Sequence, residues 1–234
     1  MGTVLTRWVG LAAALSSLAL VSLTPTSLAL AAQPEASLAQ LQADPDFVDL
    51  AGIPGVKIDL RYATTNNFTG SNIYGGFNHA FLHRIAADKL RRAAATLQQQ
   101  HPGWQLLIYD AARPRSAQEQ LWQRVVGTDK QRYVANPAKG SIHNYGFAVD
   151  LGVIDQDGHE LDMGTGFDSF EPVSQPALED RYTRSGQLSP AQLANRKILR
   201  SVMQQAGFIQ LPLEWWHFDA LPSADVHQHY HIIE

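Results

Sequence analysis

Ser141-Ile142-His143-Asn144-Tyr145-Gly146 runs directly into Phe147-Ala148-Val149-Asp150-Leu151-Gly152-Val153-Ile154, and the change of character at Gly146 governs how the chain is read. Before the glycine the residues are polar and turn-forming; after it comes a short apolar run closed by Asp157-Gly158. A run of that length bounded by turn residues reads as a strand over Phe147 to Ile154. Asp150 lies inside this strand, between Val149 and Leu151. A carboxylate drawn into apolar surroundings loses several kcal/mol of hydration unless a cation or strong hydrogen bonds compensate it.

Working outward, Trp104 to Tyr109 is a second compact apolar run, bounded by Gly103 and Asp110, and reads as a buried strand. Ser116 then looks like the cap of a helix from about Ala117 to Val126. Apolar residues recur near helical spacing from Ile85 to Gln100, until His101-Pro102-Gly103 stops them. Val56 to Tyr62 alternates apolar with polar, as a half-buried strand does, and leads into an ordered, turn-rich loop over Thr64 to Gly76. Downstream, Ser189 as cap and Pro190 at the first position open the last strong helix. Gly207 ends it ahead of Phe208 to Leu211 and the Glu214 to Phe218 segment. Strands and helices mixed without regular alternation indicate the α+β class. With no internal repeat and no break after residue 46, residues 47–222 read as one domain, with a linker or frayed helix over 32–46 before it and a tail over 223–234 after it.

At the amino terminus, Arg7 precedes a charge-free run from Trp8 to Leu23, and Pro25 and small residues lead to Ala29-Leu30-Ala31. That is the shape of a secretory signal cleaved near Ala31, with an uncleaved anchor as the alternative. Removing residues 1–31 from the 234-residue chain leaves 203, enough for one domain with a core. The expected product is exported, periplasmic or extracellular, without stable membrane insertion. The chain has no cysteine, which excludes disulfides, thiolate metal sites and a cysteine nucleophile. Its 18 basic and 22 acidic residues give a formal charge of -4 with no basic stripe, which argues against a nucleic-acid partner. Nothing in the sequence sets the oligomeric state.

A catalytic zinc ion takes three imidazole or carboxylate ligands and leaves a fourth position for water. One place for such ligands is His143 with Asp150 seven residues on; the same spacing also allows Asp150 to cap a turn or pair with an arginine, and His143 to be an exposed loop residue. The other is Glu214-Trp215-Trp216-His217-Phe218, an acid and a histidine among three aromatics, where a surface acid and a core histidine are the plain alternative. Glu214 stands where a carboxylate could move a proton for water activated at a neighbouring histidine's metal. Its spacing from His217 requires a bend, because residues three apart on a regular strand face opposite ways. Arg113, in Tyr109-Asp110-Ala111-Ala112-Arg113-Pro114, is a permanent cation at a strand exit; it could stabilise an oxyanion or pair with Asp110. The terminal His227-Gln228-His229-Tyr230-His231 reads as a disordered tail or adventitious metal binder.

Taken together, Ser141-x-His143 with Asp150, Glu214-x-x-His217 and the Asp110 to Pro114 turn resemble the VanX-type zinc D-alanyl-D-alanine dipeptidases, in a family that also holds D,D-carboxypeptidases. Two further stretches resemble the dipeptidase branch: Asp59-Leu60-Arg61-Tyr62-Ala63-Thr64 with Asn67-Phe68-Thr69-Gly70, and Asp162-Met163-Gly164-Thr165-Gly166-Phe167-Asp168. The resemblance implies one zinc ion per chain on His143, Asp150 and His217, with Glu214 as general base and Arg113 steadying the tetrahedral intermediate. It places Tyr62, Asp150 and Asp168 near the ammonium of a small D-amino-acid dipeptide and Ser141 near its carboxylate. It also implies a single small α+β domain with a short, mainly antiparallel sheet carrying the metal and flanking helices. The family usually sets a pocket-framing tyrosine a few residues after the Asn-Phe-Thr-Gly element, where this chain has Tyr74 followed by Gly75-Gly76-Phe77. The expected activity is D-alanyl-D-alanine hydrolysis in cell-wall peptide metabolism. The rivals are trimming of D-alanine from longer peptidoglycan peptides, and a non-catalytic wall-peptide or zinc-binding module.

Overall fold

The structure, a computed structural model, describes residues 1–3 and 33–234. The apolar run from Trp8 to Leu23 and the expected cleavage point near Ala31 lie outside the described residues. In chain order the elements are α1 (Pro34–Gln40), β1 (Phe47–Asp49), β2 (Val56–Ile58), β3 (Phe81–His83), α2 (Arg84–Gln100), β4 (Gln105–Asp110), α3 (Arg115–Val125), β5 (Ala148–Ile154), α4 (Glu179–Arg184), α5 (Pro190–Gln205), β6 (Ile209–Gln210), β7 (His217–Asp219) and α6 (Ser223–His229). Among the described residues no helix is long and apolar enough to cross a membrane.

The arrangement is α+β. A five-stranded sheet runs β2-β4-β5-β7-β6, parallel only between β2 and β4, and β1 pairs antiparallel with β3 in a small second sheet. All seven residues of β5 are buried, so this central strand reads as a continuous apolar run. Helix α2 turns Ala86, Leu90, Ala93 and Leu97 inward at helical spacing, and α5 does the same with Leu199, Val202 and Met203. Each large apolar side chain fully removed from water contributes roughly 1.5–3 kcal/mol. The start of α5 is fixed by Ser189 Oγ, which accepts from Gln192 N at 3.2 Å, and by Pro190 in its first turn.

Four expectations need correction. The strand expected over Val56 to Tyr62 stops at Ile58, and Arg61–Ala63 forms a 3-10 turn. Arg61 pairs there with Asp59 at 2.9 Å and Glu160 at 3.0 Å, so the alternation marked side-chain partners as well as strand faces. Ser116 is not the cap of α3: the helix begins at Arg115 behind Pro114, whose ring presets the entry backbone. The C-terminal tail is neither disordered nor detached. Val226 of α6 is fully buried, Tyr230 packs on Phe147 with ring centroids 4.3 Å apart, and Ile233 N donates to Asn144 O at 2.8 Å. On the other side of residues 47–222, Leu38 and Leu41 also join the core, so from residue 33 the stretch expected as a linker or frayed helix is a packed helix and turn.

Candidate active site

The sheet register lines up the acidic and imidazole groups. Asp150 of β5 stands opposite His217 of β7 on one side and Asp110 of β4 on the other. The second pairing depends on an irregularity between Ile108 and Asp110, where one extra residue on β4 brings Asp110 beside Asp150. His143 arrives from the Ile142–Tyr145 3-10 turn, which Ser141 N tightens by donating to Asn144 Oδ1 at 2.6 Å. Gly146 then adopts φ 72° to swing the chain into β5, and a Cβ there would meet Phe47 at 2.5 Å, so only glycine fits.

Three heteroatoms converge. His143 Nε2 lies 3.1 Å from His217 Nδ1 and 3.3 Å from Asp150 Oδ1, and His217 Nδ1 lies 3.0 Å from the same Asp150 oxygen. The outer partners decide what those atoms carry. His143 Nδ1 is 2.7 Å from the Ala111 carbonyl, an acceptor only, and His217 Nε2 is 2.8 Å from Asp219 Oδ1. When the rings are neutral the outer nitrogens bear their protons, and the inner nitrogens then present lone pairs to a carboxylate oxygen. Such a cluster calls for a cation. Tetrahedral ligands at zinc distances of about 2.0–2.1 Å sit about 3.3 Å apart, close to the observed separations. These three residues fit a metal in donor chemistry, spacing and outer support, and they form a candidate metal site.

The electrostatics agree. Burial pushes the Asp150 carboxyl up, but His143 and His217 more than offset this and hold it well below the usual carboxylate range. Burial lowers the His217 pKa, yet Asp219 and Asp150 outweigh it and raise it well above an ordinary imidazole. Surroundings that retain a proton so firmly also favour a metal ion.

Glu214 occupies the bend before β7, with Oε2 4.0 Å from His217 Nδ1, and burial pushes its carboxyl up to about 7. The bend required by the spacing is present. Arg113 pairs with Asp110, the plainer of its two readings: Nε and Nη2 bond Asp110 Oδ2 at 2.8 and 2.5 Å, Nη1 bonds Gln118 Oε1 at 2.8 Å, and the guanidinium still reaches the cavity, 3.6 Å from Asp150 Oδ2. Tyr74, the residue after the Asn-Phe-Thr-Gly element, donates to Asp110 Oδ1 at 2.6 Å. It is buried behind the arginine and does not line the cavity.

Tyr62 and Asp168 meet at the far side of the site. Tyr62 Oη donates to Asp168 Oδ1 at 3.0 Å and Phe68 N donates to Oδ2 at 3.3 Å. Burial, followed by the nearby Asp150, raises the Asp168 carboxyl well above the ordinary range. No cationic side chain pairs with Asp168 among the described residues, and its backbone holds a left-handed φ of 62° to aim it inward. All eight residues expected at the site, Tyr62, Arg113, Ser141, His143, Asp150, Asp168, Glu214 and His217, line one cavity of about 350 Å³.

Sequence reasoning passed over the supports. Asp219 follows His217 by two, so a strand places them on one face, and that spacing could have revealed it. Gln118 lies only five residues beyond Arg113, on α3, whereas Tyr74 reaches Asp110 across 36 positions and left no local signal. His227, dismissed with the tail, also lines the cavity.

Lone-pair donors, a buried carboxylic acid and a fixed guanidinium sharing one cavity on an α+β sheet are the parts of a hydrolase. The chain belongs to the D-ala-D-ala dipeptidase family, whose family model matches residues 43–233, and it is a peptidase. It is 38% identical over 180 residues to the D-alanyl-D-alanine dipeptidase of Escherichia coli strain K12, covering 76% of this chain and 86% of that protein. It is 33% identical over 184 residues to that of Enterococcus faecalis strain V583, with 70% and 85% covered. It is 31% identical over 191 residues to that of Streptomyces coelicolor, with 74% and 89% covered.

Proposed function

We propose that this protein is an exported, zinc-dependent dipeptidase that hydrolyses D-alanyl-D-alanine in cell-wall peptide metabolism. The observation that carries the reading is the convergence of three lone-pair donors on one point beside Glu214 and Arg113, in a chain whose relatives bear that activity in their names. His143, Asp150 and His217 hold the ion. Zinc, when bound, supplies the Lewis acidity that makes water a nucleophile near neutral pH.

The remaining work falls to side chains. Glu214 accepts a proton from the attacking water at Oε2 and delivers it to the departing amine; a carboxyl raised by burial toward neutrality is suited to both transfers. Arg113 is held in a fixed orientation by Asp110 and Gln118, so its charge meets the developing oxyanion without reorganisation. Asp168 and Tyr62 receive the free ammonium of the substrate, the cation that this buried carboxyl otherwise lacks. Ser141 faces the other end, toward the terminal carboxylate. A site ended by an ammonium receptor in a cavity of about 350 Å³ favours a free dipeptide over longer wall peptides. Export rests on Arg7 and the apolar run from Trp8 to Leu23.

The test is turnover with metal analysis on one preparation. Purified protein should carry one zinc per chain and release D-alanine from the dipeptide but not from its N-acetylated form. Glu214→Ala should keep its metal while losing about 10²- to 10⁴-fold in kcat; retained turnover would remove Glu214 from the mechanism.

A further inference from the structure

We infer that helix α6 forms the wall against which the substrate's terminal carboxylate rests, with His227 as the residue that selects for that carboxylate. The inference deepens the dipeptidase reading and rests on it. The cavity has two differently furnished ends. At one, Tyr62 and Asp168 form the anionic receptor described above, roofed by Phe68 and Phe170, whose ring centroids lie 5.2 Å apart. The other is walled by Gly140, Ser141 and two residues of α6, Ser223 and His227.

Ser223 and His227 are four residues apart, so the helix presents them on one face. Both residues are exposed at the mouth of the cavity they line, and neither side chain has a hydrogen-bond or ionic partner among the described residues. Two unengaged donors thus face the site where a donor would be used. Asp219, an acid lining the same cavity, bonds His217 Nε2 through Oδ1 at 2.8 Å.

Substrate length completes the argument. A dipeptide spans roughly 7 Å when extended. With its ammonium at Asp168 and its scissile carbonyl beside His143, Asp150 and His217, its carboxylate falls beyond the cluster, on the α6 side. That wall is rigidly tied to the machinery. The His227 ring lies 5.3 Å from that of Tyr145, which shares the 3-10 turn of His143. Ile233 N donates to Asn144 O, and Asn144 Nδ2 donates to Arg113 O at 2.7 Å. The helix backbone that carries His227 is thus held beside the site, which limits the ordering cost of binding to the His227 side chain itself.

The experiment compares zinc-loaded wild type with variants on D-alanyl-D-alanine and on D-alanyl-D-alaninamide, whose terminal carboxylate is replaced. His227→Ala should raise KM for the free dipeptide about tenfold, as expected for losing a hydrogen bond to a charged group, with a smaller change in kcat. Its kcat/KM for the amide should match wild type, so the preference for acid over amide shrinks by the same factor. Ser223→Ala should act in the same direction more weakly, and His227→Gln, which keeps an N–H donor, should recover part of the loss. His229→Ala, on the same helix but with Nδ1 2.9 Å from Asp225 O, should behave as wild type. An unaltered acid-to-amide preference in His227→Ala, with wild type active, overturns the role of α6 alone. Failure of wild type to cleave the dipeptide overturns the dipeptidase reading and this inference with it.

Discussion

Strand β5 carries one histidine–aspartate group in its middle and leads into another just past its end, and the two differ in everything except composition. His143, Asp150 and His217, like Asp155, Asp157 and His159, can bring one ligand atom each within 4.8 Å of the others. The first group is buried and its outer nitrogens are already engaged, so its inner lone pairs have no partner but a cation. In the second, Asp155 Oδ1 already accepts from Asp157 N at 2.9 Å and His159 N at 2.8 Å, and the His159 side chain is 80% exposed. The second group is a self-satisfied turn. Proximity of ligand types is therefore a weak criterion; what distinguishes a metal site is lone pairs left over after every local bond is counted.

The largest effect that separates the two groups should come from Asp150→Ala. Removing the shared carboxylate should bring zinc content near zero and cut turnover at least about 10³-fold, as the loss of a metal-assisted mechanism implies. Zinc retained at one per chain would break the comparison. Asp219→Ala leaves the three ligands in place but frees His217 Nε2, and should weaken zinc affinity by about 10- to 100-fold in a chelator competition. The pH profile gives a smaller signal. Glu214 must be ionised to accept a proton, burial sets its pKa at about 7, and a bound dication draws it lower. Thus kcat/KM should fall on the acid side with an inflection at or below about 7; activity that climbs as the pH drops below neutral would contradict the assignment. The smallest effect belongs to Asp155→Ala, which should leave both zinc stoichiometry and kcat/KM as in wild type.

Much of the geometry that gathers these residues could be read from the sequence. The strand over Phe147 to Ile154 and the polar turn before it placed His143 and Asp150, because burial of a carboxylate leaves a mark in local sequence. The need for a bend at Glu214 followed from strand geometry, and the capped start of α5 from Ser189-Pro190. What escaped was the support layer and the chain end. Tyr74 reaches Asp110 across 36 positions, and Ile233 reaches Asn144 across 89, so no window along the chain displays either pairing. The tail misled because its alternation of histidine and polar residues hides a single buried anchor, Val226. Arg113 showed that two local readings need not compete, since pairing with Asp110 is what holds its guanidinium toward the cavity.

The β5–β7 register has a consequence for the protein without its ion. A slip of one residue would turn His217 outward and drag Phe218, fully buried on the opposite face, into the polar cavity. Hydrophobic packing alone thus enforces the alignment that coordination requires. Chelation should leave an intact vessel rather than an unravelled chain, ready to be refilled without refolding.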